Sequence, residues 1–384
     1  MDYHGFCITD KQHELVDGVA KHGNPTAYAK ATGQTPRVVR NTWARIRKKA
    51  SKGGYSPDND MHGESVPEGF RLDKSTVHIK DGSLIQRWDR VSQDKADALQ
   101  GVMDAIELAC DGIAEAPKVV KPKSTIKGLL NLYTIADLHI GMYAWARESG
   151  ESYSTKEAKE VLWQCFGQML DSMPDAESCI IVNLGDYLHY DGLLSQTPAH
   201  HNVLDSDSRY QKLAEIALDL QIWMVESALK KHANVHLVNV EGNHDEAGTP
   251  WLKVATKRIF AKNPRVSVDD SPMPYHATLH GETMLAWHHG HKKKDKDLGA
   301  LFSADPKFRE MWGMAKQTYI HTGHLHSQSV LELPGAIVER HPTLCARSSY
   351  EVRGGWMSHR QAKAICYDDK GNEKMRVSVV PELP

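Results

Sequence analysis

The sequence predicts a mixed α/β body preceded by a small all-α head. Three observations predict it. From about residue 128, short apolar runs alternate with helix-length amphipathic segments. Five of those runs end in Asp, Asn or His. The first 52 residues carry ten Lys/Arg against four Asp/Glu, whereas the remainder carries 37 against 45. The total charge of −2 therefore hides a basic head on an acidic body, an asymmetry that suggests a nucleic-acid contact.

Composition excludes several classes. With 384 residues, 40% of them hydrophobic and 25% charged, the chain is long enough for two or three domains and too apolar for wholesale disorder. Its longest apolar runs, such as Cys179 to Val182, are far short of a membrane span, so no membrane partner is expected. The N-terminus, MDYHGFCITD, has no basic stretch followed by an apolar core and does not read as a signal peptide. Six cysteines without a C-x-x-C pair argue against a zinc ribbon or a disulfide scaffold and fit a reducing, cytoplasmic setting. Histidine is the anomaly, at 22 residues with no run longer than two, which excludes a tag and leaves metal binding to be tested.

The head, residues 1–52, reads as three helices. Thr9 with Gln12 forms a capping-box pattern ahead of a stripe of Leu15, Val16 and Val19. Asn24-Pro25 is a start signal for a short helix that ends at Gly33. Thr35-Pro36 repeats the signal and opens a third helix over about 36–50. That helix bears Arg37, Arg40, Arg45, Arg47, Lys48 and Lys49 and no acid. The spacing of Ala29, Gly33 and Val39 resembles a helix-turn-helix. That resemblance implies that the third helix is a recognition helix, with Arg37, Arg40, Arg45, Arg47 and Lys48 contacting DNA. A structural or protein-binding three-helix unit is the competing reading.

Residues 53–127 read as a connector. A Gly-, Ser-, Asp- and Pro-rich linker extends to Pro67. Val77–Ile79 and Leu84–Trp88 then form a hairpin on Asp81-Gly82, and Ser92 caps a helix to about Glu115. The body occupies 128–384. Its expected strands are Leu129–Ile135, Cys179–Leu184, Val235–Val240, Thr283–Trp287 and Thr318–His321, with helices over 155–172 and about 207–232. The 58 residues after His326 look strand-rich and complete the body.

The strand ends carry Asp137-x-His139, Gly185-Asp186, Gly242-Asn243-His244-Asp245, His289-Gly290-His291 and Gly323-His324-x-His326. Each fragment is common alone. In this order, with gaps of 49, 57, 46 and 35 residues between Asp137, Asp186, Asn243, His289 and His324, the set resembles the calcineurin-like metallophosphoesterase superfamily over about 130–345. The resemblance implies a four-layer β-sandwich flanked by helices and two divalent metal ions about 3.5–4 Å apart. One metal would take Asp137, His139, Asp186 and His326, and the other Asp186, Asn243, His289 and His324, with Asp186 shared. A hydroxide between them would attack phosphorus, His244 would hold the phosphate and assist the leaving oxygen, and Asp245 would orient His244. Manganese is the expected metal, with iron, zinc, magnesium and nickel as alternatives. His288 competes with His289 as the ligand, and the residue preceding glycine is preferred.

Gly185-Asp186-Tyr187-Leu188-His189 and Asp137-Leu138-His139-Ile140-Gly141 resemble the nuclease subunit of double-strand-break repair complexes, which makes His189 a catalytic candidate. Unlike those nucleases, the chain has little room for a capping domain after the core, so DNA docking falls to the head. Gln196, His200 and His201 are placed near a cleft. Fusion of such a head to this core resembles bacteriophage proteins. The expected function is thus a metal-dependent DNA nuclease or phosphodiesterase acting in a bacterial or phage-infected cytoplasm, and it could form homo-oligomers. The alternatives are a phosphomonoesterase or cyclic-nucleotide phosphodiesterase, and a DNA-binding regulator with an inactive body.

Overall fold

The computed structural model describes residues 3–7, 9–52, 55–57, 61–62, 70–80, 83–93, 118–198 and 201–382. It divides into two compact units, Met1–Asp104 and Ala105–Pro384.

In the first unit, α1 (Asp10–His22), α2 (Pro25–Thr32) and α3 (Pro36–Lys52) follow the expected start signals. Asn24 caps α2 by accepting from the Ala27 amide at 2.8 Å, and Gly33 ends it in the left-handed region at φ 69°. Thr9 stands at the N-cap of α1, but its hydroxyl makes no capping bond. The Gln12 and His13 amides instead donate to its backbone carbonyl at 2.8 and 3.2 Å, so the capping box does not close. Leu15, Val16 and Val19 of α1, Tyr28 and Ala29 of α2, and Val39, Ile46 and Ala50 of α3 form the core of this unit. The short strands β1 (Tyr55–Ser56) and β2 (Met61–His62) pair with each other. The long strands β3 (Phe70–Lys80) and β4 (Ser83–Gln93) form the expected hairpin, whose Asp81-Gly82 turn lies outside the described residues. Strand β4 runs through Ser92, which therefore caps no helix, and the rest of the helix expected to Glu115 also lies outside the described residues.

In the second unit, β5 (Ile126–Ile135), β6 (Ala176–Asn183), β7 (Asn234–Asn239) and β8 (Val266–Val268) run parallel. They join β14 (Ala362–Asp368) and β15 (Glu373–Val379) in a six-stranded sheet of order β15-β14-β5-β6-β7-β8. A second, five-stranded sheet of order β12-β13-β11-β10-β9 contains β9 (His276–His280), β10 (Thr283–Trp287), β11 (Gln317–Thr322), β12 (Ser329–Leu333) and β13 (Ala336–Arg340). Its β10, β11 and β13 run parallel.

Alternation along the strands builds the layers. Ile180 and Val182 of β6 and Leu285 and Trp287 of β10 meet in the core between the sheets. Cys179 and Ile181 turn the other way, against α5 (Thr155–Ser172) and α6 (Tyr210–Lys231). Met284 and Ala286 of β10 and Ile320 of β11 face Leu298 and Phe302 of α8 (Asp295–Ala304). The result is helices, sheet, sheet, helices, the four-layer sandwich expected. Trp287 is fully buried between the sheets, where truncation to Ala costs about 3–5 kcal/mol. The remaining helices are α4 (Ala146–Ser149), α7 (Gly248–Ile259), α9 (Arg309–Met314) and α10 (Ser349–Gly354). Among the described residues no helix is long and apolar enough to cross a membrane, and Cys165, Cys179, Cys345 and Cys366 form no disulfide.

Candidate metal centre

The parallel strands aim their carboxyl ends at one place. Asp137 and His139 follow β5, Asp186 follows β6, Asn243 follows β7, His289 follows β10, and His324 and His326 follow β11. His139 Nε2 lies 3.3 Å from His326 Nε2 and 3.9 Å from Asp186 Oδ2. His326 Nε2 is 3.4 Å from Asp137 Oδ1, and His289 Nε2 is 3.1 Å from Asp186 Oδ2. The ligand atoms of Asp137, His139 and Asp186 lie within 4.8 Å of one another, and so do those of Asp186, His289 and His324. Asp186 belongs to both groups.

The backbone here is strained. Among the described residues six non-glycine positions have positive φ. Five of them are Asp137 (49°), His139 (46°), Asp186 (51°), His324 (75°) and His326 (53°). Each left-handed residue costs roughly 1–2 kcal/mol and persists only where surrounding bonds over-determine it. Those bonds are on hand: the Asp137 carbonyl accepts from Thr343 Oγ1 at 2.9 Å, and the His139 amide donates to Asp186 O at 2.9 Å. The carboxylates are aimed from across the site. The His324 amide donates to both oxygens of Asp137 at 3.1 Å, and the His244 amide to Asp186 Oδ1 at 2.9 Å. The motif glycines allow this approach. A Cβ on Gly242 would sit 2.1 Å from Asp186 Oδ1, and one on Gly323 would sit 2.6 Å from Asp137 Oδ2.

Hydrogen bonds set the tautomers. His289 Nδ1 donates to the Leu184 carbonyl at 2.8 Å, His326 Nδ1 to Glu351 Oε1 at 2.7 Å, and His244 Nδ1 to the His189 carbonyl at 2.7 Å. Each bond leaves Nε2 as the remaining ring nitrogen, the arrangement of a ligating histidine held by an outer partner. Asn243 Oδ1 and His289 Nε2 are buried without a hydrogen-bond partner, although the latter lies close to Asp186. Burial pulls His289 towards the neutral form, but Asp186 outweighs it and holds its pKa at about 9. At His139 burial, helped by the neighbouring imidazole of His244, outweighs Asp186 and keeps it well below the usual imidazole range. Two buried carboxylates that call for positive charge, ringed by imidazoles and an orphaned amide oxygen, fit a divalent cation.

The remaining expected residues sort clearly. His289, and not His288, stands in the cluster. His288 stacks on Tyr275 with ring centres 4.7 Å apart and accepts from the Gly290 amide. His189 lies with Nδ1 3.2 Å from His139 Nδ1, stacks on His244, and is pushed down by burial to about 3. Asp245 does not bond to the His244 ring, contrary to the role expected for it. Its carboxylate accepts from the amides of Gly242, Tyr187 and Leu188 at 2.8, 2.8 and 3.2 Å, which locks the two glycine-containing loops together. His201 bonds to Gln196 within its own loop, and His200 lies outside the described residues. Arg37, Arg40, Arg45, Arg47 and Lys48 are exposed on α3 of the first unit.

No protein-family model matches the chain, and no curated protein matches it. Solved structures do. An archaeal phosphodiesterase is 11% identical, with 65% of this chain and 99% of that one covered at a TM-score of 0.33. A phosphoesterase from E. coli, Yfce, is 15% identical over 64% and 98% at 0.29. Vps29 of Entamoeba histolytica, solved with zinc, is 12% identical over 65% and 98% at 0.29.

Two residues at the centre escaped the sequence. Glu351 closes a capping box with Ser348 at the start of α10, and its other oxygen holds His326. The S-x-x-E pattern of a helix start was readable at 348–351, but its tie to His326 was not. Cys345 lies near His139 and His326, yet burial pushes its thiol up to about 12, and it contacts Thr343 Oγ1 at 3.0 Å. Together with His139 and His326 its sulfur forms a further group of converging ligand-type atoms.

Proposed function

We propose that the protein is a dinuclear-metal phosphoesterase acting on DNA phosphodiesters. The observation that carries the reading is the sharing of Asp186 between two groups of converging ligand atoms, since paired cations need a bridging anion. Asp137, His139, Asp186 and His326 would hold one ion, and Asp186, Asn243, His289 and His324 the other, with manganese the first candidate. Bound there, such ions supply Lewis acidity towards a phosphoester and lower the pKa of water.

The chain's own groups do the rest. His244, whose Nδ1 is fixed by the His189 carbonyl, presents Nε2 to hold a phosphate oxygen or protonate the leaving oxygen. His189 stacks beside it and limits its rotation. Glu351 keeps His326 oriented. The basic face of α3, with Arg37, Arg40, Arg45, Arg47 and Lys48, supplies backbone contacts to DNA.

The test is a Mn²⁺-supplemented assay on single- and double-stranded DNA beside bis- and mono-nitrophenyl phosphate. Hydrolysis of the diester and of DNA is expected, and turnover of the monoester alone would overturn the nuclease reading. If DNA affinity and its salt dependence survive deletion of residues 1–52, α3 is not the contact.

A further inference from the structure

Four large exposed rings that neither core packing nor the ligand set explains lie on two segments, the one that follows His139 and the one around α10, where Tyr350 and Trp356 pack with ring centres 5.1 Å apart. Tyr143 is 47% exposed, Trp145 52%, Tyr350 71% and Trp356 51%. Exposed rings of this size in one region mark a binding surface. Other contacts pin the two segments together. The Tyr143 amide donates to the Asp205 carbonyl at 3.0 Å, and Ser349 Oγ donates to the Asp205 carboxylate at 2.6 Å. Arg347 donates to the Ser149 carbonyl at 3.1 Å, which joins the approach to α10 to the end of α4.

Both segments also reach the centre itself. The Met142 amide, next to Tyr143, donates to the His139 carbonyl at 3.0 Å, and Glu351, next to Tyr350, holds His326. Cationic side chains accompany the rings. Arg147 lies over Trp145 at 5.7 Å from the ring centre and pairs with no carboxylate among the described residues. Arg353 is 81% exposed, one helical turn beyond Tyr350. The neighbouring acids are answered: Glu151 is bound by Arg360 at 2.7 Å, and Glu148 faces Arg353 at 3.9 Å.

We propose that Tyr143, Trp145, Tyr350 and Trp356, with Arg147 and Arg353, form a stacking platform for the bases of a single-stranded polynucleotide. The proposal rests on the phosphoester reading and names its substrate class as unpaired strand. Rings and guanidinium groups together recognise exposed base faces and the phosphates between them, and a duplex hides those faces. The ligand atoms favour the same substrate. Asp137, Asp186 and His289 are almost fully buried, so a scissile phosphate must descend to them, which a strand with splayed bases does more readily than a rigid duplex.

The test is binding of the full chain to an oligo-dT 20-mer and to a 20-base-pair duplex by fluorescence anisotropy, with EDTA present so that neither is cut. Trp145→Ala, Tyr350→Ala and Trp356→Ala should each weaken oligo-dT binding about tenfold and duplex binding less than twofold. Trp356→Phe, which keeps a ring, should recover most of the loss, and Arg147→Ala should lower the salt dependence for oligo-dT. An unchanged thermal midpoint in each variant shows that the fold is intact. Equal losses on both ligands, or no loss on oligo-dT, overturn the platform and leave the phosphoesterase reading standing. The latter result also directs these rings to a protein partner. Absence of any metal-dependent hydrolysis overturns the phosphoesterase reading, while the binding comparison still decides the platform.

Discussion

Two clusters of buried histidine and carboxylate share β5 and β11, and they are chemically opposite. In one, inside the sandwich, His321 Nδ1 meets His341 Nε2 at 2.9 Å, Tyr367 Oη meets His321 Nε2 at 3.2 Å, and Thr134 Oγ1 meets His341 Nδ1 at 3.2 Å. Glu339 accepts from Lys363 at 2.6 Å and from Arg376 at 3.0 Å. Every ring nitrogen has a partner and the carboxylate has two cations. In the other, at the strand ends, Asp137 and Asp186 face imidazoles with no Lys or Arg among the described residues bonded to them, Asn243 Oδ1 is orphaned, and His289 Nε2 meets only Asp186 Oδ2 at 3.1 Å. Both clusters have metal-compatible residue types. Unmet bonding, and not histidine density, separates a site from a polar core.

The sharpest way to break this contrast is to disable each cluster in turn. Asp186→Asn should lower Mn²⁺-dependent turnover of bis-nitrophenyl phosphate by on the order of 10³-fold and reduce the metal bound per chain, measured by atomic emission. Glu339→Gln should leave bound metal unchanged, and loss of metal from both variants would erase the distinction. Lys363→Met removes one cation from buried Glu339 and should cost about 3 kcal/mol in urea unfolding, the low end for a broken buried pair because Arg376 remains.

A third expectation concerns pH. Burial holds His321 at about 4 against an ordinary value of 6.5. The unfolded chain therefore takes up this proton first, and stability falls as pH drops from 6.5 to about 4, by about 3 kcal/mol for this group. Glu339, depressed from 4.5 to about 2, stays charged in the fold over that window, and its own contribution is full above 4.5 and lost as pH falls from there to about 2. Urea midpoints across the range should slope downward towards acid, and His321→Gln should flatten the slope. Parallel curves for the two proteins would show that this imidazole is not responsible. The smallest effect belongs to Glu351→Gln, which leaves His326 in place but weakens its hold. Metal affinity should drop 10- to 100-fold, on the order of second-sphere losses elsewhere, and added Mn²⁺ should restore turnover. An unchanged affinity would reduce Glu351 to a helix cap.

Much of the strand-end set was legible because its reasons are local. An apolar run, a glycine and a ligand-type residue sit side by side in the chain, and the glycines are needed where Gly242 and Gly323 let carboxylates approach backbone. The choice of His289 over His288 followed from its place before Gly290, and the structure turns His288 towards Tyr275. Other features were hidden because they depend on partners far away in sequence. Asp245 next to His244 suggested an orienting pair, but the distant Tyr187 and Leu188 amides claim its carboxylate. The left-handed conformations of Asp137 and His326 have no compositional signature, since Asp and His enter that region only when tertiary bonds hold them there.

The cross-strung amide–carboxylate bonds also have a kinetic side. The amide that aims Asp137 belongs to His324, 187 residues later, and the carboxylate that holds His326 belongs to Glu351. Contacts of such sequence separation close late in folding. A chain emerging from the ribosome would carry Asp137, His139, Asp186 and Asn243 before His289, His324 and His326 are made, without being able to assemble them. Hydrolytic competence would switch on only when both sheets have condensed. A metal site built this way is silent while incomplete, and a cation that binds only the finished arrangement rewards correct registry of the sheets.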